Sequence, residues 1–120
     1  MKYILLFIFP LLFIGACDTQ DDNGYPKKVE FGSRGGTVTV TGEDWFIGLS
    51  IYDGYEEHPS YTVGEYDRIA SYGWLTVKTD CWNNSLTIIA ETNTTGRKRK
   101  LEIFGEFGTE YTVIKVEQDA

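Results

Sequence analysis

Between residues 74 and 118, apolar and polar residues alternate in four short runs: Leu75/Val77, Leu86/Ile88/Ala90, Leu101/Ile103 and Ile114/Val116. Successive side chains of an extended chain point to opposite faces, so a period of two sends one set inward and the other to water. The runs are expected to be half-buried strands. Turn-forming residues separate them, in Asn83-Asn84-Ser85, in Asn93-Thr94-Thr95-Gly96 and between Gly105 and Gly108. No helical period of comparable length competes with this pattern.

The upstream half continues it. Val29 to Phe31 reads as a strand, Gly32 to Gly36 as a turn, and Thr37 to Thr41 as a second strand with Val38 and Val40 facing in. Gly42-Glu43-Asp44 turns the chain into Trp45 to Tyr52, where a period of two puts Ile47, Leu49 and Ile51 on one face. The expected fold is all-β, an immunoglobulin-like sandwich of about seven antiparallel strands, in one domain over residues 28–120. One connection stands out. Asp53 to Gly73 exceeds the ~12–15 residues beyond which a loop is usually functional or disordered, and it is too aromatic for disorder.

Residues 1–16 are expected to be a lipoprotein signal peptide. Lys2 gives a positive start, Ile4 to Ile14 an apolar stretch, and Gly15-Ala16 the small residues before a cleavage point. The stretch falls well short of the ~20 residues of a membrane-spanning helix, and Pro10 interrupts it. Ile14-Gly15-Ala16-Cys17 resembles the bacterial lipobox, whose cysteine becomes the acylated first residue. Cys17 is thus the expected lipid attachment point, and several acyl chains hold a protein stably on a bilayer where one does not. Residues 17–27, polar and acidic at first, are expected to be a flexible tether. The expected location is the bacterial outer membrane, with the domain either on the cell surface or facing the periplasm.

Several stretches carry a family resemblance. Trp74-Leu75, Leu86-Thr87-Ile88, the run Glu91-Thr92-Asn93-Thr94-Thr95-Gly96-Arg97 and the final Ile114-Lys115-Val116-Glu117-Gln118 resemble the BACON family (Bacteroidetes-associated, carbohydrate-binding, often N-terminal). The similarity runs from about Val29 to Gln118. It implies an immunoglobulin-like sandwich on a surface or periplasmic protein, with carbohydrate binding as the associated activity. Domains of that family often stand between an anchor and a catalytic domain. Here only Asp119 and Ala120 follow Gln118, so a scaffolding role would serve a separate protein.

Charge and chemistry narrow the function. The formal net charge is −7, and the leader holds one basic residue and no acid, so the mature chain is more acidic still. Such a chain is repelled by nucleic acid. Its one basic cluster, Arg97-Lys98-Arg99-Lys100, spans a turn and a strand start, where alternation divides it between faces; it reads as a solvated hairpin. With Cys17 acylated, Cys81 has no disulfide partner and reads as structural. The single histidine, His58, has no recognisable nucleophile or metal-ligand spacing around it. Glu56 and Asp67 are the nearest approach to a carboxylate pair, without a cleft to hold several sugars. The chain is expected not to be an enzyme and to need no cofactor or metal.

Two stretches have the composition of a sugar site. Tyr55, Tyr61, Tyr66 and Tyr72 lie among Asp53, Glu56, Glu57, Glu65 and Asp67. Tyrosine offers an apolar face for sugar C–H groups and a polar tip, while carboxylates accept bonds from hydroxyls. The same rings could instead cap the core. Trp82 and Asn83, in the next turn, are the second candidate. If seven strands alternate direction, the tether enters at the Trp82 end, while the tyrosine segment, the Asn93–Arg97 turn and the C-terminus lie opposite. A strand hidden in Tyr61-Thr62-Val63 would invert that placement. The expected function is non-catalytic binding of a polysaccharide or mucin glycan; the alternative is a protein-interaction module of a cell-envelope complex. Solvent-facing rings in a row favour the first, and an apolar patch on a sheet face or edge favours the second.

Overall fold

The structure, a computed structural model, describes residues 24–120. The expected signal peptide, Cys17 and most of the tether lie outside the described residues. Among the described residues there are ten strands. They are β1 (Lys28–Phe31), β2 (Gly36–Thr41), β3 (Gly48–Asp53), β4 (Glu56–Pro59), β5 (Tyr61–Val63), β6 (Asp67–Tyr72), β7 (Leu75–Asp80), β8 (Ser85–Ala90), β9 (Arg99–Phe107) and β10 (Glu110–Gln118). They form two five-stranded sheets: sheet A in the order β2-β8-β7-β6-β5 and sheet B in the order β1-β10-β9-β3-β4. The expected all-β, immunoglobulin-like sandwich is what forms, with ten strands rather than seven.

The period of two explains the core. On sheet A, Leu75, Val77, Leu86 and Ile88 are fully buried, with Val38 and Val40 packed beside them. On sheet B, Ile51, Leu101, Ile103, Ile114 and Val116 face them from the other side. The pairing is antiparallel except where β1 joins β10 in parallel, Val29 beside Val116. That parallel pair fastens the first strand to the last.

Two expectations change. The segment Asp53–Gly73 is not a loop but carries three strands. After Gly54, at φ +64°, the chain doubles back as β4 beside β3, with Glu57 opposite Tyr52. It then crosses to sheet A, where β5 and β6 form a hairpin around Gly64, at φ +71°. The strands are hard to see because β4 and β5 are edges with one or no inward apolar residue to fix a period. Of the whole segment only Ala70 is buried in the core, with the partly buried Tyr72 packed against that core.

The second change concerns Trp45 to Ile47, which precede the strand instead of opening it. Ile47 is 49% exposed, while its neighbour Phe46 is buried. The Ile47 N–H donates to the Glu106 carbonyl, so the chain meets sheet B edge-first and drives Phe46 under it. Phe46 packs between Phe107 (4.6 Å) and Tyr25 (4.7 Å). Gly105 lets it approach, since a Cβ there would fall 2.1 Å from the Phe46 ring. Gly105→Ala is therefore expected to cost about 1–3 kcal/mol by overpacking, read from denaturant unfolding; an unchanged midpoint would show that the Phe46 ring can move. Tyr25, assigned to the tether by its sequence position, is itself fully buried, so the folded part begins ahead of Lys28.

Candidate functional site

The turn between β7 and β8 is built by Asp80. Its carboxylate accepts from the Trp82 N–H at 3.1 Å and the Asn83 side-chain amide at 2.8 Å, and its carbonyl accepts from the Asn83 N–H. Asn84 closes the turn in the left-handed region, at φ 47°, which asparagine tolerates better than most residues. Asp80 thus holds the turn from within, and the indole is left in solvent. Trp82 is 84% exposed. It does not fold back on the sandwich.

The β5–β6 hairpin tip lies beside this turn. The Cys81 N–H donates to the Asp67 carboxylate at 2.9 Å, which brings Tyr66, 50% exposed, next to the Trp82 turn. Tyr66 meets the edge of Trp45 with ring centroids 6.0 Å apart. Trp45, Tyr66 and Trp82 thus lie on neighbouring turns at one end, an aromatic rim whose turns also carry Asp67, Asp80 and Asn83. Burial, then the Asp67 carboxylate beside it, pushes the Cys81 thiol above its ordinary pKa. It stays protonated near neutral pH and is a poor nucleophile.

Below the rim sits Tyr25, whose hydroxyl lies 2.7 Å from the Asp44 carbonyl and 2.9 Å from the Asn84 carbonyl. It ties the chain's entry to the loop before Trp45 and to the Trp82 turn. Tyr66 and Trp82 therefore share the end at which the described chain enters.

The other sequence candidates are dispersed. Tyr55 is fully exposed on the β3–β4 turn at the opposite end. Tyr72, near that end, stacks on His58 at 3.6 Å and donates to Asp53 at 3.1 Å, so its ring is covered. Tyr61 projects from edge strand β5 on the outer face of sheet A. Of the four tyrosines, Tyr66 alone joins Trp82 and Asn83. The hairpin around Gly64 is the cause: it returns the middle of the segment to the tether end and leaves its two ends behind.

The Asn93–Arg97 turn and the strand end at Gln118 have structural work at the end opposite the rim. The Asn93 amide donates to the Arg97 and Asp119 carbonyls, while its oxygen accepts the Thr95 N–H and hydroxyl. The buried Gln118 donates to the Gly32 and Glu91 carbonyls and accepts from Arg99 Nε. Arg99 also lies 4.8 Å over the Trp74 ring, so this member of the basic cluster is a clamp and not a solvated charge.

A further aromatic group was not anticipated. Tyr52, Phe104 and Tyr111 run diagonally over β3, β9 and β10 on the outer face of sheet B, with centroids 5.8 Å and 5.2 Å apart. Its sequence signal is an aromatic at three outward positions of strands whose inward positions are already filled. Glu57 flanks Tyr52, and its carboxylate accepts from the Ser50 hydroxyl at 2.8 Å.

Likeness to known proteins concerns the fold. The sequence matches no protein-family model and no curated protein. An NMR structure of a protein from Bacteroides thetaiotaomicron is similar over 88% of this chain and 91% of that one, with 21% identity and a TM-score of 0.61. A Bacteroides ovatus GH5 xyloglucanase, solved with a XXXG heptasaccharide, is similar over 78% of this chain but only 17% of its own, with 19% identity and a TM-score of 0.50. The class defined is a small all-β sandwich of a kind found in Bacteroides proteins.

Proposed function

We propose that the protein is an exported lipoprotein, anchored through Cys17, whose BACON-like sandwich binds glycan without catalysis. The observation that carries this reading is the aromatic rim, above all a Trp82 indole 84% exposed. A tryptophan offers roughly 150–250 Å² of surface for burial, and here none of the turn's polar contacts requires it to be aromatic. Tyr66 and the partly exposed Trp45 add apolar surface at the same end. The Asp67 and Asp80 carboxylates and the Asn83 amide have the chemistry to bond sugar hydroxyls with whatever capacity their bonds within the chain leave free. The likeness to a segment of a xyloglucan-degrading enzyme is in keeping with a polysaccharide setting. An acidic rim favours neutral glycans over sulfated or sialylated ones.

A glycan array probed with the wild type and with Trp82→Ala/Tyr66→Ala tests the reading. Binding to a neutral polysaccharide is expected, weakened about tenfold or more in the double variant, each tenfold being 1.4 kcal/mol. Both rings are solvent-exposed, so thermal stability should barely change. A flat array from a folded wild type would sink the proposal. The Tyr52–Phe104–Tyr111 diagonal favours a second reading, a protein-interaction module, since an apolar strip on a sheet face suits a protein partner. That reading predicts no array signal and loss of a co-purifying envelope protein in Phe104→Ser.

A further inference from the structure

The four edges of the two sheets are not equally defended. A strand edge presents unpaired N–H and C=O groups to any chain that can pair with them, and natural sheets block it with charge, proline or shortness. Edge β4 carries Glu56, Glu57 and Pro59. Edge β5 is three residues long. Edge β1 carries Lys28 and Glu30, with Lys28 bridged to Glu30 at 3.0 Å and Glu117 at 3.3 Å. Edge β2 has none of these devices. Its six residues, Gly36 to Thr41, include no charge and no proline, and among the described residues β2 pairs only with β8.

The sequence of this edge says what fits it. Gly36-Thr37-Val38-Thr39-Val40-Thr41-Gly42 reads identically in both directions. In an antiparallel pair, residues directly opposite each other share a face. A second copy laid antiparallel along β2, centred on Thr39, therefore sets Thr39 against Thr39, Val38 against Val40 and Thr37 against Thr41. The valines meet on the core side and the threonines on the solvent side. The glycines at both ends add no side chain to clash. Threonine pairing of this kind already exists within the chain, where the Thr39 and Thr87 hydroxyls lie 3.4 Å apart across β2 and β8. An unrelated strand would gain the backbone bonds but not this like-with-like match.

We propose that β2 is a dimerisation edge, at which two copies join their A sheets into one continuous sheet across a two-fold axis at Thr39. A closed two-fold contact uses both free edges and leaves none to propagate. The pairing is uncharged while each protein is acidic, so salt, which screens repulsion beyond a Debye length of about 8 Å at physiological ionic strength, strengthens it. Because the strands run antiparallel, the two chain entries lie at opposite ends. An anchored dimer would accordingly rest with its strands along the membrane.

Sedimentation equilibrium on the purified chain tests this. The wild type is expected to show a monomer–dimer equilibrium that moves toward dimer as salt is raised. Thr39→Lys and Thr39→Glu should each be monomeric, because the two-fold sets like charge against like. An equimolar mixture of the two should recover dimer, as lysine then faces glutamate. A wild type monomeric up to millimolar concentration, a Thr39→Lys dimer as strong as wild type, or a mixture that stays monomeric would each overturn the proposal. Should either variant unfold, hydrogen exchange on the wild type decides: protection of the β2 amides must rise with protein concentration, and concentration-independent exchange rejects the dimer.

Discussion

Tyr25→Ala is expected to destabilise the protein by about 3–5 kcal/mol, the usual range for deleting a large buried aromatic side chain. Tyr25 precedes the first strand, yet none of its surface reaches solvent. Its ring lies 4.7 Å from Phe46 and 5.8 Å from Phe107, centroid to centroid. Gly42 approaches so closely that a Cβ there would fall 2.2 Å from the Tyr25 ring. Alanine would leave a cavity that neither the Phe46 ring nor the backbone at Gly42 is placed to fill. Tyr25→Phe should cost less, about 1–2 kcal/mol, since the Asn84 carbonyl keeps the Gly42 N–H and only the Asp44 carbonyl must find water. Denaturant unfolding separates the two variants; equal costs would mean that the hydroxyl, not the ring, holds the end together.

The same residue sets an alkaline limit. Burial, aided by the Asp44 carboxylate, pushes the Tyr25 phenol from 10.0 up to about 12. The fold therefore favours the neutral phenol. This contribution is fully present below pH 10, where the phenol is neutral in both states, and is lost as pH rises toward 12 and the unfolded chain ionises first. A loss on the order of 2 kcal/mol is expected across that window. It should be absent from the pH dependence of Tyr25→Phe.

The strands with a buried face were legible because their inward residues are large and regularly spaced: Leu75/Val77, Leu86/Ile88 and Ile114/Val116 each lie where alternation puts them. Edge strands β4 and β5 were not, since an edge contributes few side chains to the core and its residues answer to solvent. Ile47 was misplaced for another reason. A period of two cannot reveal that a strand starts at Gly48 and that the preceding Phe46 is the core residue. Trp82 and Tyr66 were both visible as candidates, but not their adjacency. That depends on Asp67 reaching the Cys81 N–H, a contact between residues fourteen apart with no sequence signature. Trp45, the third ring of the rim, was hidden inside an apparent strand.

The family-like motifs were legible as sequence and opaque as chemistry, and Gln118 shows why. Its side chain is 1% exposed and accepts from Arg99 Nε at 2.8 Å while donating toward the Glu91 carbonyl at 2.7 Å and the Gly32 carbonyl at 3.1 Å. These contacts join the last strand to the turn after β1 and the segment after β8. Gln118→Leu keeps the volume but leaves buried acceptors unpaired, at about 1–3 kcal/mol each, so a total of about 2–4 kcal/mol is expected. Arg99→Ala should cost less, because the guanidinium is partly exposed and water can replace it. The two effects should not simply add, as the groups share one bond. Thermal and denaturant unfolding measure the cost, and a Gln118→Leu protein as stable as wild type would remove the clamp from the account. On the proposed glycan-binding reading, affinity supplies the second axis. Gln118 lies at the end opposite Trp82, so Gln118→Leu should lower stability while leaving binding unchanged wherever the protein is folded, and Trp82→Ala should do the reverse. If both variants lose affinity together, the rim is not an independent site, and its aromatic residues serve the fold as the motif residues do.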